Sequence, residues 1–452
     1  MSDTIAAVAT GGQIAAIGII RLSGDNSIKI VDKLFTPSRG GRMRDQEDRK
    51  LVYGRLCAAD GSLLDLCLCT ISHAPESYTG ENTAELQCHG SPVVLRAALE
   101  QIFSLGARQA LPGEFTKRAF LNGKLELSAA EAVADIIDAE SLEAAKNAAG
   151  QLSGAVSRRI ETVYSVFTDI SSHYHAVLDY PDEDIEDFRL ESYLLQMESA
   201  RGDLSGLLDT FSRGKLINSG IPAVIVGKPN AGKSSLLNAL LGYDRAIVTN
   251  IPGTTRDTIE EKLCLGSITL RLTDTAGIRH TEDQVELLGV QRSRQAMENA
   301  MLVIAVVDGS SQPDEEDLAI IRAAERADKA VLVISKSDLE PCTPCIPTKL
   351  PVVSVSSVTG DGLDALEMLI SDLFPLPHVP AGEILTNTRQ AEAVGRALDH
   401  LDAALDAMSS GMTPDIVLTE AEGVLQALGE LTGRCIREDV TNRIFQRFCV
   451  GK

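Results

Sequence analysis

The 452-residue chain lacks any run of about 18 consecutive apolar residues, the length a membrane helix requires. Its opening Met1-Ser2-Asp3-Thr4 is neither a basic leader nor followed by a cleavage site, so a cytosolic protein with no membrane partner is expected. Positive charge is scarce: 42 Lys and Arg against 64 Asp and Glu leave a formal net charge of −22. Such a chain repels a phosphate backbone unless cations are gathered locally or supplied by a partner, which argues against non-specific coating of nucleic acid. No internal repeat and no RNA-binding appendix of the KH type are present.

Paired metal-ligand motifs are missing as well. The nine cysteines are odd in number and scattered, and Cys67 and Cys69 fit alternating strand positions better than a bridge or a metal site, so a reduced compartment is the simpler reading. Cys342 and Cys345 form one CxxC among prolines, without the second ligand pair that zinc needs. His173 and His175 fall on opposite sides of a helix expected over 160–178, and the acidic run 182–187 after Pro181 reads as a helix start or a solvated turn. What remains is a soluble balance, 44% hydrophobic and 23% charged, over a length suited to about three packed domains.

Residues 1–118 carry alternating runs such as Ala15–Leu22 and Leu63–Cys69 between glycine turns, the pattern of an α+β domain. From 119 to 215 apolar residues recur at three- and four-residue spacing almost free of Gly and Pro, predicting a helical domain whose start is marked by Ser128 as N-cap with Glu131 three residues on. Over 216–376 strand, glycine loop and helix repeat. The runs Ala223–Val226, Leu302–Val307, Val331–Ser335 and Val352–Val355 lack polar alternation, as strands covered on both faces do, so a doubly wound α/β domain is expected. Helical periodicity returns over 377–452, and the simplest architecture inserts the α/β domain into one helical domain.

The segment Gly227-Lys228-Pro229-Asn230-Ala231-Gly232-Lys233-Ser234 fits GxxxxGK[ST], follows an apolar run and leads into the helical Ser235–Leu241. Its backbone N–H groups and helix N-terminus suit phosphates, Lys233 reaches the terminal ones, and Ser234 ligates Mg²⁺. Asp274-Thr275-Ala276-Gly277 ends another apolar run and puts a carboxylate behind that Mg²⁺, while the polar stretch Gly253-Thr254-Thr255-Arg256-Asp257 offers a threonine to close over it. In Ser335-Lys336-Ser337-Asp338 the last carboxylate accepts from the N1 and N2 donors of guanine, which adenine lacks, favouring GTP over ATP. Ser356 and Ser357, with Gly360 and Gly362, fit a loop closing over the base.

These motifs in this order resemble the translation-factor-like GTPases. Gly253–Asp257, the opening Asp3–Gly24, Ser77–Asn82, Pro112–Lys124 and the terminal Phe448-Cys449-Val450-Gly451-Lys452 narrow the resemblance to the MnmE (TrmE) family of tRNA-modification GTPases, over essentially the whole chain. Ser335 departs from the usual asparagine, Gly11-Gly12-Gln13 from a Pro-rich stretch, and Ser91 from a glycine. The resemblance implies an N-terminal folate-binding and dimerisation domain in which Arg21, Glu85 and Lys124 bind 5-formyl- or 5,10-methylenetetrahydrofolate and Lys452 reaches it from the C-terminus. It implies a homodimer, a flavin (FAD) partner resembling MnmG in a heterotetramer, and modification of carbon 5 of the wobble uridine of tRNA.

Isoleucine occupies position 278, where a Ras-like enzyme carries its water-orienting glutamine. By the resemblance that task passes to Glu286. K⁺ supplies the missing arginine-finger charge, held by Asn230 with Thr249, Ile251 and Thr254; Arg256 and Arg279 are the alternative source. GTP contacts are expected from Asn230, Ala231, Gly232, Lys233, Ser234, Ser235, Thr249, Thr254, Thr255, Asp274, Thr275, Ala276, Gly277, Lys336, Asp338, Ser356 and Ser357, with Ser234 and Thr255 on Mg²⁺. His89 is read as structural, and Cys449 as a buried structural thiol as readily as a reactive one. Two rivals remain: a regulatory GTPase switch in ribosome or complex assembly, and a stand-alone folate-dependent methyltransferase, for which no nucleophile is recognisable.

Overall fold

The computed structural model describes residues 3–11, 14–179, 190–242, 261–266, 268–272, 297–339, 346–375, 380, 382–434, 444–446 and 448–451. The acidic run 182–187 and the Cys342/Cys345 pair lie outside them. The chain divides into two compact units, one of Met1–Ala134, Leu152–Thr168 and Ala421–Lys452, the other of Asp135–Gln151 and Asp169–Glu420. Among the described residues no helix is long and apolar enough to cross a membrane.

The first unit is built on a seven-stranded sheet: β1 (Ile5–Val8), β2 (Ala15–Ser23), β3 (Phe35–Pro37), β4 (Val52–Cys57), β5 (Leu63–Ser72), β6 (Thr83–Gly90) and β7 (Arg108–Gln109), in spatial order β3-β4-β5-β6-β2-β1-β7. Period-2 alternation sends Ile20, Leu22, Cys67, Cys69, Ile71, Ala84, Leu86 and Cys88 to one face, where α1 (Ser27–Leu34) and α2 (Pro92–Ser104) cover them with Ile30, Val31, Leu95, Ala98 and Ile102. Cys67 and Cys69 thus alternate along a strand as expected, both buried.

A second apolar cluster in this unit joins Phe120 at the end of α3 (Glu114–Leu121), Ala130 and Val133 of α4 (Leu127–Asp138), and Phe445 and Phe448 near the C-terminus. The tail is pinned there by backbone. Gly113 N–H donates to Cys449 C=O, Pro112 pairs with Val450, and Gly451 at φ +103° lies so near Val8 that an added Cβ would stand 2.3 Å from its carbonyl oxygen. Cys449 itself is exposed, so its reading as a buried thiol is corrected: its carbonyl is anchored and its side chain is not.

Ser128 is also corrected. Helix α4 begins one residue earlier, Ala130 N–H donates to Glu126 C=O, and the buried Ser128 hydroxyl turns away from the helix end to a 2.9 Å hydrogen bond with Ser157. A buried hydroxyl needs a partner, and Ser157 on α6 (Ala155–Asp179) supplies one.

The second unit carries a six-stranded sheet of β8 (Ile221–Val226), β9 (Glu261–Leu265), β10 (Ile268–Leu272), β11 (Leu302–Asp308), β12 (Ala330–Ser335) and β13 (Val352–Ser354), ordered β13-β12-β11-β8-β10-β9. All neighbours are parallel except the edge pair β9–β10. Ile225, Ile304 and Val333 face α9 (Lys233–Leu241) and α11 (Leu363–Leu373), whereas Val224, Val303 and Leu332 face α10 (Glu315–Ala324). Strands β8, β11 and β12 are apolar on both sides because both sides are covered. The expectation fails at β13, an edge strand whose Val352 and Ser354 are exposed and whose Val353 alone is buried.

Helices α5 (Leu142–Leu152), α7 (Leu190–Asp209), α8 (Phe211–Ser219) and α12 (Thr388–Ser409) complete this unit, and α13 (Pro414–Thr432) follows. The irregular segment 382–386 is fixed by side chains that precede the sheet in sequence. Asn147 accepts from Gly382 N–H and donates to Ile384 C=O, Gln151 donates to the same carbonyl at 2.6 Å, and Thr210 accepts from Leu385 N–H. Arg201 of α7 pairs with Asp402 of α12 at 2.6 Å.

Candidate functional site

In an open α/β sheet a ligand site forms at the carboxyl ends of strands where the strand order reverses. Here β8 lies between β11 on one side and β10 on the other, and the glycine loop leaves its end. Asn230 takes φ +65° and Gly232 φ +93°, the left-handed turns that aim the loop's N–H groups inward before α9 begins at Lys233. Ser234 is half-buried on the first turn, and Asn230 and Ser235 are exposed.

Lys233 folds back on the loop, its Nζ donating to Gly227 C=O at 2.7 Å and Lys228 C=O at 2.6 Å. Burial pulls its pKa below the usual lysine value, with Glu316 acting weakly the other way. Two neutral carbonyls are a modest reward for a buried ammonium, and a phosphate in the loop offers the stronger, charge-assisted partner. The donor set therefore fits a polyphosphate, and Ser234, the residue expected on Mg²⁺, follows Lys233 on the first turn of α9.

Ser335, the departure from asparagine, is explained by geometry. Buried at the end of β12, its hydroxyl lies 2.6 Å from Ala231 C=O and 3.2 Å from Val307 C=O, tying the strand that carries the base-reading segment to the phosphate loop. Three residues on, Asp338 is exposed and held by a 2.7 Å hydrogen bond from Ser356 Oγ. The same Ser356 oxygen accepts from Val358 and Thr359 N–H, so its one proton is committed to Asp338. A carboxylate so fixed, with its other oxygen available, fits the paired N–H donors of guanine. Lys336 (φ +57°) pairs with Asp308 at the end of β11, and Ser357 is half-buried beside Ser356.

One element of this site escaped sequence reasoning. Lys228, a variable position of the loop motif, pairs with Asp314 and, at 3.3 Å, with Asp317. These two form the capping box of α10, each side chain accepting from the other's backbone N–H, so one ion-pair cluster fixes both the loop and the start of that helix. The signal was an Asp-x-x-Asp at a helix start, with nothing in sequence to connect it to Lys228.

Thr249, Ile251, Thr254, Thr255, Asp274, Thr275, Ala276, Gly277 and Glu286 lie outside the described residues, as do Arg256, Arg279 and Lys452. Of the expected nucleotide residues, 230–235 lie on the loop and the start of α9, while Lys336, Asp338, Ser356 and Ser357 follow β12 and β13, and β12 is tied to the loop by Ser335.

The first unit brings together Arg21 and Glu85, directly opposite on β2 and β6, with Nε to Oε1 at 2.8 Å. The guanidinium also lies over the rings of Tyr78 and Phe115, at 5.4 and 5.8 Å. Lys124 is exposed and passes beside Gly80, at the end of the loop that carries Tyr78. An aromatic ring, a carboxylate and two cations on one rim fit a flat heterocycle with an anionic tail.

Beneath this rim is a charge network that sequence reading did not foresee. Arg118 donates to Glu81 at 2.9 Å, to the Asp3 carboxylate at 2.7 Å and carbonyl at 2.8 Å, and to Glu114 at 3.0 Å, while Arg108 bridges Asp3 and Glu114. Glu81 accepts in turn from Ser23, and Tyr78 bonds to Thr116. The strings Pro112–Lys124 and Ser77–Asn82 thus owe much of their chemistry to holding one another. His89, read as structural, is exposed and places its Nδ1 2.7 Å from Asp65.

Two family models match the chain: "GTP-binding protein TrmE N-terminus" over residues 4–124 and "MnmE helical domain" over 127–449. The chain is 40% identical over 467 residues to the tRNA modification GTPase MnmE of Roseiflexus castenholzii, covering 100% of this chain and 99% of that protein. It is 39% identical to the protein of the same name from Alkaliphilus oremlandii, with both chains covered in full. Among solved structures, the G domain of the T. maritima FeoB iron transporter aligns with 34% of this chain and 97% of its own, at 28% identity and a TM-score of 0.24. Matched from end to end by both family models and full-length relatives, the chain belongs to the MnmE family of tRNA modification GTPases.

Proposed function

We propose that the protein is a K⁺-stimulated GTPase of the cytoplasm that acts as a homodimer with an FAD-containing, MnmG-like partner. Together they install an aminomethyl or carboxymethylaminomethyl group at carbon 5 of the wobble uridine of tRNA. The observation that carries the GTP reading is the Asp338 carboxylate, oriented by Ser356 and joined through Ser335 to the phosphate loop. Lys233 and the loop N–H groups hold the phosphates, and Ser234 with Thr255 holds Mg²⁺, which neutralises charge on them. Asn230, Thr249, Ile251 and Thr254 hold K⁺, which supplies positive charge where an arginine finger otherwise would. Glu286 orients the attacking water. Glu286→Ala should bind GTP almost normally yet hydrolyse it slower by about 10²-fold or more; unchanged turnover rejects that role.

Arg21, Glu85, Lys124 and Lys452 hold a tetrahydrofolate derivative, which supplies a one-carbon unit when bound. The anchoring of Gly451 beside Val8 supports Lys452 at that site. A homodimer is supported by exposed apolar side chains on the seven-stranded sheet, where Ile17, Tyr53 and Leu66 are 59%, 52% and 43% exposed. The net charge of −22 leaves most of the positive surface for tRNA to the partner. Insertion of the α/β domain within one helical domain is supported by the hydrogen bonds from Asn147, Gln151 and Thr210 to segment 382–386.

Folate and nucleotide groups belong to separate units, which makes the two functions separable. Alanine at both Arg21 and Lys124 should abolish folate binding and tRNA modification while K⁺-stimulated GTP hydrolysis survives. A folded double variant that loses GTPase activity in parallel with folate binding contradicts the two-site reading.

A further inference from the structure

Strands β5 and β6 run antiparallel with Leu68 opposite Gln87 and Cys69 opposite Leu86, and one step further along that register Cys67 faces Cys88. Both thiols point to the covered face of the sheet, 4% and 2% exposed. Two residues before Cys67, at the end of the same face, stands Asp65, with its side chain 9% exposed. One carboxylate oxygen of Asp65 and the two sulfurs all lie within 4.8 Å of one another, the one such group of three among the described residues.

The carboxylate is held in place from outside. Its Oδ1 takes Leu66 N–H at 2.8 Å and His89 Nδ1 at 2.7 Å, and its Oδ2 takes His89 N–H at 2.8 Å. Each carboxylate oxygen has two lone pairs, so Oδ2 keeps one for a further partner. Ligating carboxylates are typically fixed by outer hydrogen bonds of this kind.

We propose that Asp65, Cys67 and Cys88 form a binding site for a thiophilic divalent cation, Zn²⁺, that staples β5 to β6 in the N-terminal unit. Two sulfurs and a carboxylate oxygen are a donor set that Zn²⁺ takes at about 2.3 and 2.0–2.2 Å, leaving water in the fourth position. Tetrahedral coordination at those bond lengths needs ligand atoms roughly 3.5–3.8 Å apart, so atoms within 4.8 Å close by about 1.3 Å at most. On binding, each thiol loses its proton to solvent and the two thiolates take the metal; no oxidation is involved. Hard cations are poorly matched to the sulfurs, which distinguishes this site from the Mg²⁺ and K⁺ positions of the nucleotide unit.

The test uses the reduced, metal-stripped full chain titrated with Co²⁺ as a coloured substitute for Zn²⁺. One equivalent should raise a near-ultraviolet thiolate-to-cobalt band together with tetrahedral visible bands, and Zn²⁺ should displace both. Cys67→Ser and Cys88→Ser should each abolish the near-ultraviolet band, Asp65→Asn should weaken affinity at least tenfold, and Cys69→Ser, on the same face but outside the cluster, should change neither. No thiolate band in the reduced chain overturns the proposal, as does a band that survives Cys67→Ser, the outcome expected if Cys342 and Cys345 were the ligands. A reduced chain that ignores cobalt but forms a Cys67–Cys88 disulfide under peroxide also overturns it, in favour of a redox pair.

Discussion

Exchanging Na⁺ for K⁺ should raise GTP turnover by a factor approaching the 10³–10⁵ that an arginine finger supplies, or about 4–7 kcal/mol of barrier. Isoleucine at 278 removes the usual water-orienting side chain, and a −22 chain has little cation to spare around a developing phosphoryl charge. Asn230 is the described member of the proposed K⁺ set, exposed on a left-handed turn of the loop. Lys233 bonds the loop's own carbonyls, and Lys228 pairs with Asp314 and Asp317. Asn230→Ala should therefore keep Mg²⁺-GTP binding, which rests on Lys233 and Ser234, and lose the difference between the two salts. Steady-state hydrolysis at fixed ionic strength measures it; equal rates in Na⁺ and K⁺ for the wild type reject the K⁺ site.

Arg118→Ala should cost about 3 kcal/mol of unfolding free energy in the N-terminal unit, since it removes the buried cation shared by Asp3, Glu81 and Glu114 and leaves Glu81 without its charged partner, while Glu114 keeps Arg108. The sign of the pH dependence follows from the same network. The Arg108 hydrogen bond, opposed by burial and aided by Arg118, holds Asp3 below 3.8. For Glu114 burial pushes upward but hydrogen bonds from Arg108, Leu111 N–H and Arg118 outweigh it, leaving the carboxyl below 4.5. Lowered folded values mean stabilisation that is complete above the unfolded values and lost as pH falls through the folded ones. Denaturant unfolding should show wild-type stability dropping as the pH goes below about 4, and a flatter profile for Arg118→Ala. A variant as stable as wild type at pH 7 would mean that the network contributes nothing.

Strands β8, β11 and β12 were legible because both faces are buried and their sequence is apolar throughout, whereas β13 misled because an edge strand of three residues carries the same valines with one face open. The phosphate loop was legible because its glycines and Lys233 serve a ligand that every such loop shares. Ser335 was visible only as a departure; its bond to Ala231 joins positions 104 apart in sequence, and local patterns do not encode such pairs. The same holds for Arg118 with Asp3, 115 residues apart, and for Cys67 with Cys88, whose meeting depends on strand register. Ser128 was misassigned because Ser-x-x-Glu at a helix start is a capping signature only when the serine is left outside the helix.

The most direct test of the account is the nucleoside composition of tRNA from a strain lacking this protein, complemented with the wild-type chain or with Lys233→Ala. The account predicts that wobble uridines lose their carbon-5 side group in the deletion strain, regain it with the wild type, and fail to regain it with Lys233→Ala. Intact wobble modification in the deletion strain would contradict it.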